Sequence, residues 1–323
     1  MGKYMKKRYL PLLIASLLVG FNASAKQLTL GHAMSLENAA HKGMVIFADK
    51  VKEKSAGELT IKIFPNAQLG SERDQAEQVV NGAIDMAKIN GGLAESFEPT
   101  FKVISIPYLF DSTEHMRKFI KSDVAQELLQ SSKGKGFVGL TFFDSGSRSF
   151  YGKKPFKTPA DLEGLKIRVP ESPTMMEMIN LLGAKATPVP FTEVYTALQQ
   201  GVIDAAENNA SSLVEMRHTE VAKFYSLDQH TMAPDLIIIS ESTWASLTDK
   251  EKSVMTAAAA EALDEEIKIW DKIENANLEK AKTLGVTLVE VDKAKFQEKV
   301  KPMLDAAKKD PKLSYYVEKI QAM

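Results

Sequence analysis

Two arginines set the chemistry this chain can do. Arg168 stands in Gly164-Leu-Lys-Ile-Arg-Val-Pro170, a short apolar strand that follows a Thr-Pro-Ala-Asp turn and is closed by a proline. Arg148 lies upstream in Ser145-Gly-Ser-Arg-Ser-Phe-Tyr151. A guanidinium is a planar fork of N–H donors that matches a carboxylate with two parallel hydrogen bonds. At the end of a strand facing a crevice, such a group captures an anion, because open α/β sheets bind ligands beyond their strand ends. The competing reading for Arg168 is a surface ion pair with Glu163 or Glu171, and for Arg148 a loop side chain making surface contacts.

A second set of residues suits hydroxyl groups. Asn208, in Asp204-Ala-Ala-Glu-Asn208, has an amide that both donates and accepts. It would follow a strand ending at Ala206, where it could equally serve a turn. His32 follows the first strand, and Asn90 ends a strand before Gly91-Gly92. Glu72 opens a helix, where a carboxylate can also satisfy free backbone N–H groups. Phe191 is either an aromatic wall of the site or core. Gly134-Lys-Gly-Phe-Val-Gly139 matches the spacing of a dinucleotide-binding loop, but those glycines must follow a strand and open a helix, and here a strand comes after them. The five histidines have no metal-ligand spacing, and no cofactor is expected. The Asn209-Ala-Ser211 sequon carries no argument.

The elements that must position these residues alternate between strand and helix. Strands are expected at 27–31, 58–64, 85–90 and 137–143, with helices over 38–54 and from the Ser71/Asp74 capping box to Gly82. The pattern then repeats: strand 165–169, helix 173–182, a short strand at 187–189, a helix capped by Thr192 and ending at Gly201, and strand 202–206. Two β/α sets imply two α/β domains, each with a largely parallel sheet. Asp235-Leu-Ile-Ile-Ile-Ser240 would return the chain to the first sheet. From the Thr248/Glu251 capping box to Leu284 there is neither proline nor glycine. One helix there would run ~50 Å at 1.5 Å per residue and brace both domains; two helices broken at an unmarked point are the alternative. A strand over 286–291 and an amphipathic tail from Lys293, packed on the second domain, complete the chain. The expected limits are residues 26–145 with 234–270 for the first domain and 146–233 with 271–323 for the second.

The first 25 residues read as an export signal: Lys3, Lys6, Lys7 and Arg8, then an apolar run from Leu10 to Phe21, then Ala23-Ser-Ala25. Cleavage is expected after Ala25 and the mature chain in the periplasm. An uncleaved anchor is the competing reading, but the run falls short of the ~20 residues a spanning helix needs. Removal of the signal lowers the basic residues from 41 to 37 against 42 acidic ones, a charge of about −5. That balance argues against nucleic acid, which needs clustered positive charge. It also means that an anion site must concentrate cations locally. The absence of cysteine excludes thiol nucleophiles and disulfides, so a core of some 300 residues has to stabilise the exported fold unaided.

The order Ser145-Gly-Ser-Arg-Ser-Phe-Tyr151, Lys166-Ile-Arg168, Pro190-Phe-Thr-Glu-Val-Tyr195 and Asp204-Ala-Ala-Glu-Asn208 resembles the substrate-binding proteins of tripartite ATP-independent periplasmic (TRAP) transporters, the DctP-like family. The resemblance covers essentially the whole mature chain. It implies a two-domain, hinged fold of the type II periplasmic-binding class, bridged by one long helix. It implies that Arg168 holds a ligand carboxylate, that Arg148 supports it, and that Asn208 and Phe191 touch the ligand, with His230 behind them. It also implies delivery to a permease of small and large membrane subunits, driven by an ion gradient, by a monomer without enzymatic activity. Within the organic acids, His32, Glu72, Asn90 and Asn208 favour a six-carbon sugar acid, a uronate or aldonate. C4-dicarboxylate, diketogulonate and sialate remain alternatives, sialate the least supported because Asn90 and Ala33 depart from the pattern of sialate binders. A lyase or isomerase acting on sugar acids is the rival class, since an acid and a histidine beside arginine can move protons.

Overall fold

The computed structural model describes Met1 and residues 25–323, so residues 2–24 of the expected export signal lie outside the described residues. The first half of the chain gives β1 (Lys26–Gly31), α1 (Ala39–Lys54), β2 (Leu59–Phe64), α2 (Glu72–Val80), β3 (Met86–Asn90), α3 (Gly91–Ala94), α4 (Thr113–Ile120), α5 (Asp123–Gln130) and β4 (Phe137–Phe143). The second set is β5 (Arg148–Gly152), β6 (Lys166–Val169), α6 (Pro173–Leu181), β7 (Lys185–Pro188), α7 (Val194–Gln200), β8 (Ala205–Asn208), α8 (Ala210–Glu215) and β9 (Phe224–Thr231). The chain then returns through β10 (Asp235–Ser240) and α9 (Glu241–Ser246), and closes with α10 (Asp249–Thr283), β11 (Thr287–Val289), α11 (Lys293–Ala307) and α12 (Ser314–Gln321). Among the described residues no helix is long and apolar enough to cross a membrane.

The strands form two sheets, ordered β2-β1-β3-β10-β4 and β11-β9-β5-β8-β6-β7. Each sheet is parallel except for one strand: β10 runs antiparallel to β3 and β4, and β5 antiparallel to β8 and β9. These two are the strands that arrive from the other domain. The chain leaves β4 at its carboxyl end, crosses through residues 144–147 and enters the second sheet as β5; it comes back from β9 through 232–234 as β10. A strand that starts at the crossing must run against strands that end there. Its first residue is therefore delivered to the crevice between the sheets, and those first residues are Arg148 and Asp235. The carboxyl ends of β3, β6 and β8 bring Asn90, Arg168 and Asn208 to the same crevice.

Helix α10 is one unbroken helix of 35 residues, started by the Thr248/Glu251 capping box. Met255, Ala258, Ala262 and Leu263 belong to the core of the first domain, and Ala281 to that of the second. The same helix is thus built into both, as its composition predicts.

Several expectations need correction. Thr192 does not cap a helix: Phe191–Glu193 make a single 3-10 turn and α7 begins at Val194, ending as expected at Gly201, whose φ of 73° is left-handed. The strand expected over 202–206 lies at Ala205–Asn208, so Asn208 is its last residue rather than the residue of a following turn. The tail does not stay on the second domain. Phe296, Val300 and Met303 of α11 pack there, but Ala307, Leu313, Val317 and Ile320 join the first core. The amphipathic pattern identified a buried face without identifying which sheet would cover it. Between Gly92 and Phe137 the sequence reading assigned no element; α4 and α5 lie there, capped by Ser112 and Ser122.

Candidate ligand-binding site

A cavity between the two sheets holds about 440 Å³ of space between atoms, part of it open to solvent, and is lined by both arginines, Asn208, Glu72, Asn90 and Phe191. Six of the seven residues expected at the site therefore meet in one place. His32 is the exception. Its ring is fully buried beneath β1 and does not line the cavity. Nδ1 accepts the Met34 N–H at 3.1 Å, which leaves Nε2 to donate to His41 Nδ1 at 3.0 Å. Burial, His41 and Lys88 push its pKa down to about 3, so it is a neutral structural histidine.

The two arginines are not equivalent. Arg148 is bound on nearly every side: Nε and Nη2 donate to the two carboxylate oxygens of Glu207 at 2.6 and 2.8 Å, Nη2 also to the Glu207 carbonyl at 3.1 Å, and Nη1 to Asn208 Oδ1 at 3.0 Å. Arg168 is as deeply buried, at 3 % exposure, yet its one hydrogen bond among the described residues is from Nε to the Val189 carbonyl at 2.9 Å. Neither Glu163 nor Glu171 pairs with it; Glu171 bonds Arg73 at 3.1 Å. Burial and the neighbouring Arg148 charge push the Arg168 pKa down, against the pull of Glu207. Removing a guanidinium from water without a carboxylate beside it is costly, and a protein keeps such a group where an anion will meet it.

Behind this wall runs a buried chain of charges that the sequence reading touched only at His230. Glu207 is held down to about 2: burial opposes its charge, but Arg148 and His230 outweigh it. His230 bonds Asp228 through Nδ1 at 2.8 Å and Glu207 through Nε2 at 3.3 Å. Against burial, those two carboxylates raise its pKa to about 9, so the ring is an imidazolium donating on both sides. The network fixes Arg148, and Arg148 in turn fixes Asn208. Asn208 Oδ1 accepts from Arg148 and from the Asn209 N–H at 2.9 Å, which leaves its NH₂ to the cavity.

The opposite wall belongs to the first domain. Glu72 does not serve the N-terminus of α2, because Ser71 and Asp74 form a reciprocal capping box. Its carboxylate reaches Lys88 instead, at 2.9 Å, and Lys88 bonds Asp235 at 2.8 Å. Lys88 is held charged: burial opposes the ammonium and the two carboxylates outweigh it. Asp235 is pushed up by burial and by Glu72, because one ammonium cannot neutralise two carboxylates. Asn90 Oδ1 caps α3 at the Gly92 N–H, and Nδ2 lies 3.4 Å from Asp235. Lys88, Asp235 and Glu207 were missed by the sequence reading. A signal was present, since Met86-Ala-Lys-Ile-Asn90 and Ala205-Ala-Glu-Asn208 each set one charge in a strand buried throughout, where a charge has to be partnered.

Trp270 of α10 and Phe191 bring aromatic rings to the lining. Gly146 lets the crossing chain pass beneath the indole: its φ is 62°, and a Cβ there would sit 2.9 Å from Trp270 Cζ2. The domains are closed on one another. Glu95 of the first domain accepts the Ser172 hydroxyl, the Thr174 N–H at 2.9 Å and the Thr174 hydroxyl at 2.5 Å. Glu215 of the second accepts Ser35 at 3.1 Å and Asn38 at 2.8 Å.

Two α/β domains that close over a polar, partly anion-seeking cavity define a solute-binding protein. The chain belongs to bacterial extracellular solute-binding protein family 7, the DctP family, whose pattern matches residues 30–310. It is similar to YiiZ of Salmonella typhimurium, with 40 % identity over 275 residues and 84 % of each chain covered. It is also similar to the TRAP periplasmic solute-binding protein of Xanthobacter autotrophicus, solved with β-D-galacturonate, at 39 % identity, a TM-score of 0.89, and 92 % of this chain and 99 % of that one covered. A third likeness is to the TRAP protein of Anaerococcus prevotii solved with D-glucuronate, at 35 % identity, a TM-score of 0.89, and 92 % and 97 % covered. The family is one of transport proteins, which removes the lyase or isomerase reading.

Proposed function

We propose that this protein captures a uronate, a six-carbon sugar acid, and delivers it to a TRAP permease. The buried guanidinium of Arg168, without a carboxylate partner among the described residues, carries the reading. The ligand carboxylate takes its place against the free Nη groups, with a further N–H from Arg148 and the amide of Asn208. Sugar hydroxyls meet Glu72, Asp235 and Asn90 across the cavity, and Phe191 covers the ring. The uronates bound by two similar proteins support the ligand class.

Capture needs no chemistry. Ligand has to stabilise the closed form more than the open one, and the closed form is what the small and large permease subunits recognise. The moving bodies are residues 26–145 with 234–270, and 146–233 with 271–303, the chain beyond riding with the first through Ala307, Leu313, Val317 and Ile320. The signal is cleaved after Ala25, and the mature protein works in the periplasm as a monomer. Native mass spectrometry of freshly purified protein, followed by calorimetry with D-glucuronate and D-galacturonate, tests the ligand. A bound acid and a saturable heat are expected; no heat from any sugar acid would overturn the proposal. A dimer mass in light scattering would overturn the monomer.

A further inference from the structure

The wall facing the arginines holds two acids around one base. Lys88 is 2 % exposed and sits between Glu72 and Asp235. Its position on the all-buried strand β3 fixes the ammonium, and the register that sets Asp235 opposite Asn90 and Phe143 fixes the carboxylate. Two carboxylates against one ammonium leave this wall with an excess of hydrogen-bond acceptors and of negative charge. The arginine wall has the reverse excess, because Glu207 bonds Arg148 and His230, and Arg168 bonds no carboxylate among the described residues. The cavity is therefore polarised from end to end.

We infer that the Glu72–Lys88–Asp235 cluster is the specificity filter of the cleft: it admits acids whose far end carries hydroxyl groups and rejects acids with a second carboxylate. The inference rests on the reading of Arg168 as the anchor of the first carboxylate. A hydroxyl donates to a free lone pair of Asp235 or Glu72 and leaves both ion pairs intact. A carboxylate has nothing to donate. To gain a partner it must take Lys88 from one of its acids, and that acid is then a buried anion without a cation. Lys88 thus acts as a holder of the two acceptors rather than as a second anion anchor. Rejection of the wrong ligand by an unpaired charge is how a site discriminates between solutes of the same size.

D-Glucuronate and D-glucarate test this: both have six carbons, and glucarate carries a second carboxylate at the carbon through which glucuronate closes its ring, so the change of preference in the variants separates the charge from the difference between ring and open chain. Dissociation constants of both are measured by calorimetry for the wild type, Asp235→Asn and Glu72→Gln, with circular dichroism to establish folding. The wild type is expected to prefer glucuronate by about 100-fold or more. Each variant should narrow the preference by about tenfold or more, mainly by gaining affinity for glucarate. A wild type that takes the two acids within about tenfold of one another sinks the inference, as do folded variants that both keep the wild-type ratio. If glucuronate itself does not bind, the uronate reading fails as well; if it binds without preference, only the filter fails.

Discussion

Replacing Arg168 should separate binding from stability, and this follows from what its guanidinium does and does not touch. Of its five N–H groups one is committed, to the Val189 carbonyl. Truncating one partner of a buried charged pair costs about 2–5 kcal/mol of affinity, so Arg168→Ala should raise the Kd for a uronate by about 30- to 5,000-fold. Arg168→Lys keeps the charge and loses the fork. The loss of one charge-assisted hydrogen bond, about 1.5–3 kcal/mol, makes that change about 10- to 150-fold. The ligand-free protein should behave oppositely. A buried cation with no hydrogen-bonded carboxylate among the described residues destabilises the fold, so Arg168→Met, which fills similar volume, should melt at or above the wild-type temperature. Calorimetry supplies the Kd values, and thermal denaturation with and without ligand supplies the stabilities. Wild-type affinity in Arg168→Ala would falsify the anchor, and a large loss of ligand-free stability in Arg168→Met would show that the guanidinium is structurally paired after all.

Arg148→Ala should do what Arg168→Met does not: it leaves the fully buried Glu207 with only the longer His230 contact and should cost about 3–5 kcal/mol of stability without ligand, read from urea denaturation. Stability should also fall on both sides of neutral pH. His32 and His218 are depressed to about 3 by burial, aided by His41 and Lys88 for the first and by Arg168 for the second, so their contribution is full above pH 6.5 and fades as pH falls toward 3. Glu207, depressed to about 2, adds to that acid limb below its ordinary 4.5. His230, raised to about 9, contributes fully below pH 6.5 and loses its contribution as pH rises through 9, with a slope of up to about 1.4 kcal/mol per pH unit for one proton. His230→Gln should therefore flatten the alkaline limb of a melting-temperature profile and leave the acid limb; an unchanged alkaline limb would count against the imidazolium. Across the cleft, Thr174→Val removes one hydroxyl from Glu95 and should weaken ligand binding by about tenfold or more while sparing the isolated domains. Small-angle scattering with ligand should then show a larger open fraction, and a closed, wild-type profile would argue against Glu95 as a latch.

The strand and helix order, the single bracing helix α10 and the two arginines were legible in the chain because each is a local statement. Periodicity marks a buried face, Thr248 and Glu251 mark a helix start, and Lys166-Ile-Arg-Val-Pro170 marks an arginine on a strand about to end. The partners of those residues were not legible, since partnership depends on which strand ends meet. Glu207 and Arg148 are far apart in the chain and share one buried bidentate bond because β5 enters the second sheet against β8. Asp235 reaches Lys88 because β10 enters the first sheet against β3. The same crossing decided that Arg148 meets a carboxylate while Arg168 bonds none among the described residues, a distinction that an arginine's presence on a strand gives no means to draw. His32 was misjudged for a related reason: a histidine after a strand points either into a crevice or under a sheet, and which it does is set by the packing of α1, whose His41 accepts the hydrogen bond of its Nε2–H. Residue types and spacing determined that this chain would close two α/β domains around an anion; the order in which the strands cross between them decided which charges are spent inside the protein and which are left for the solute.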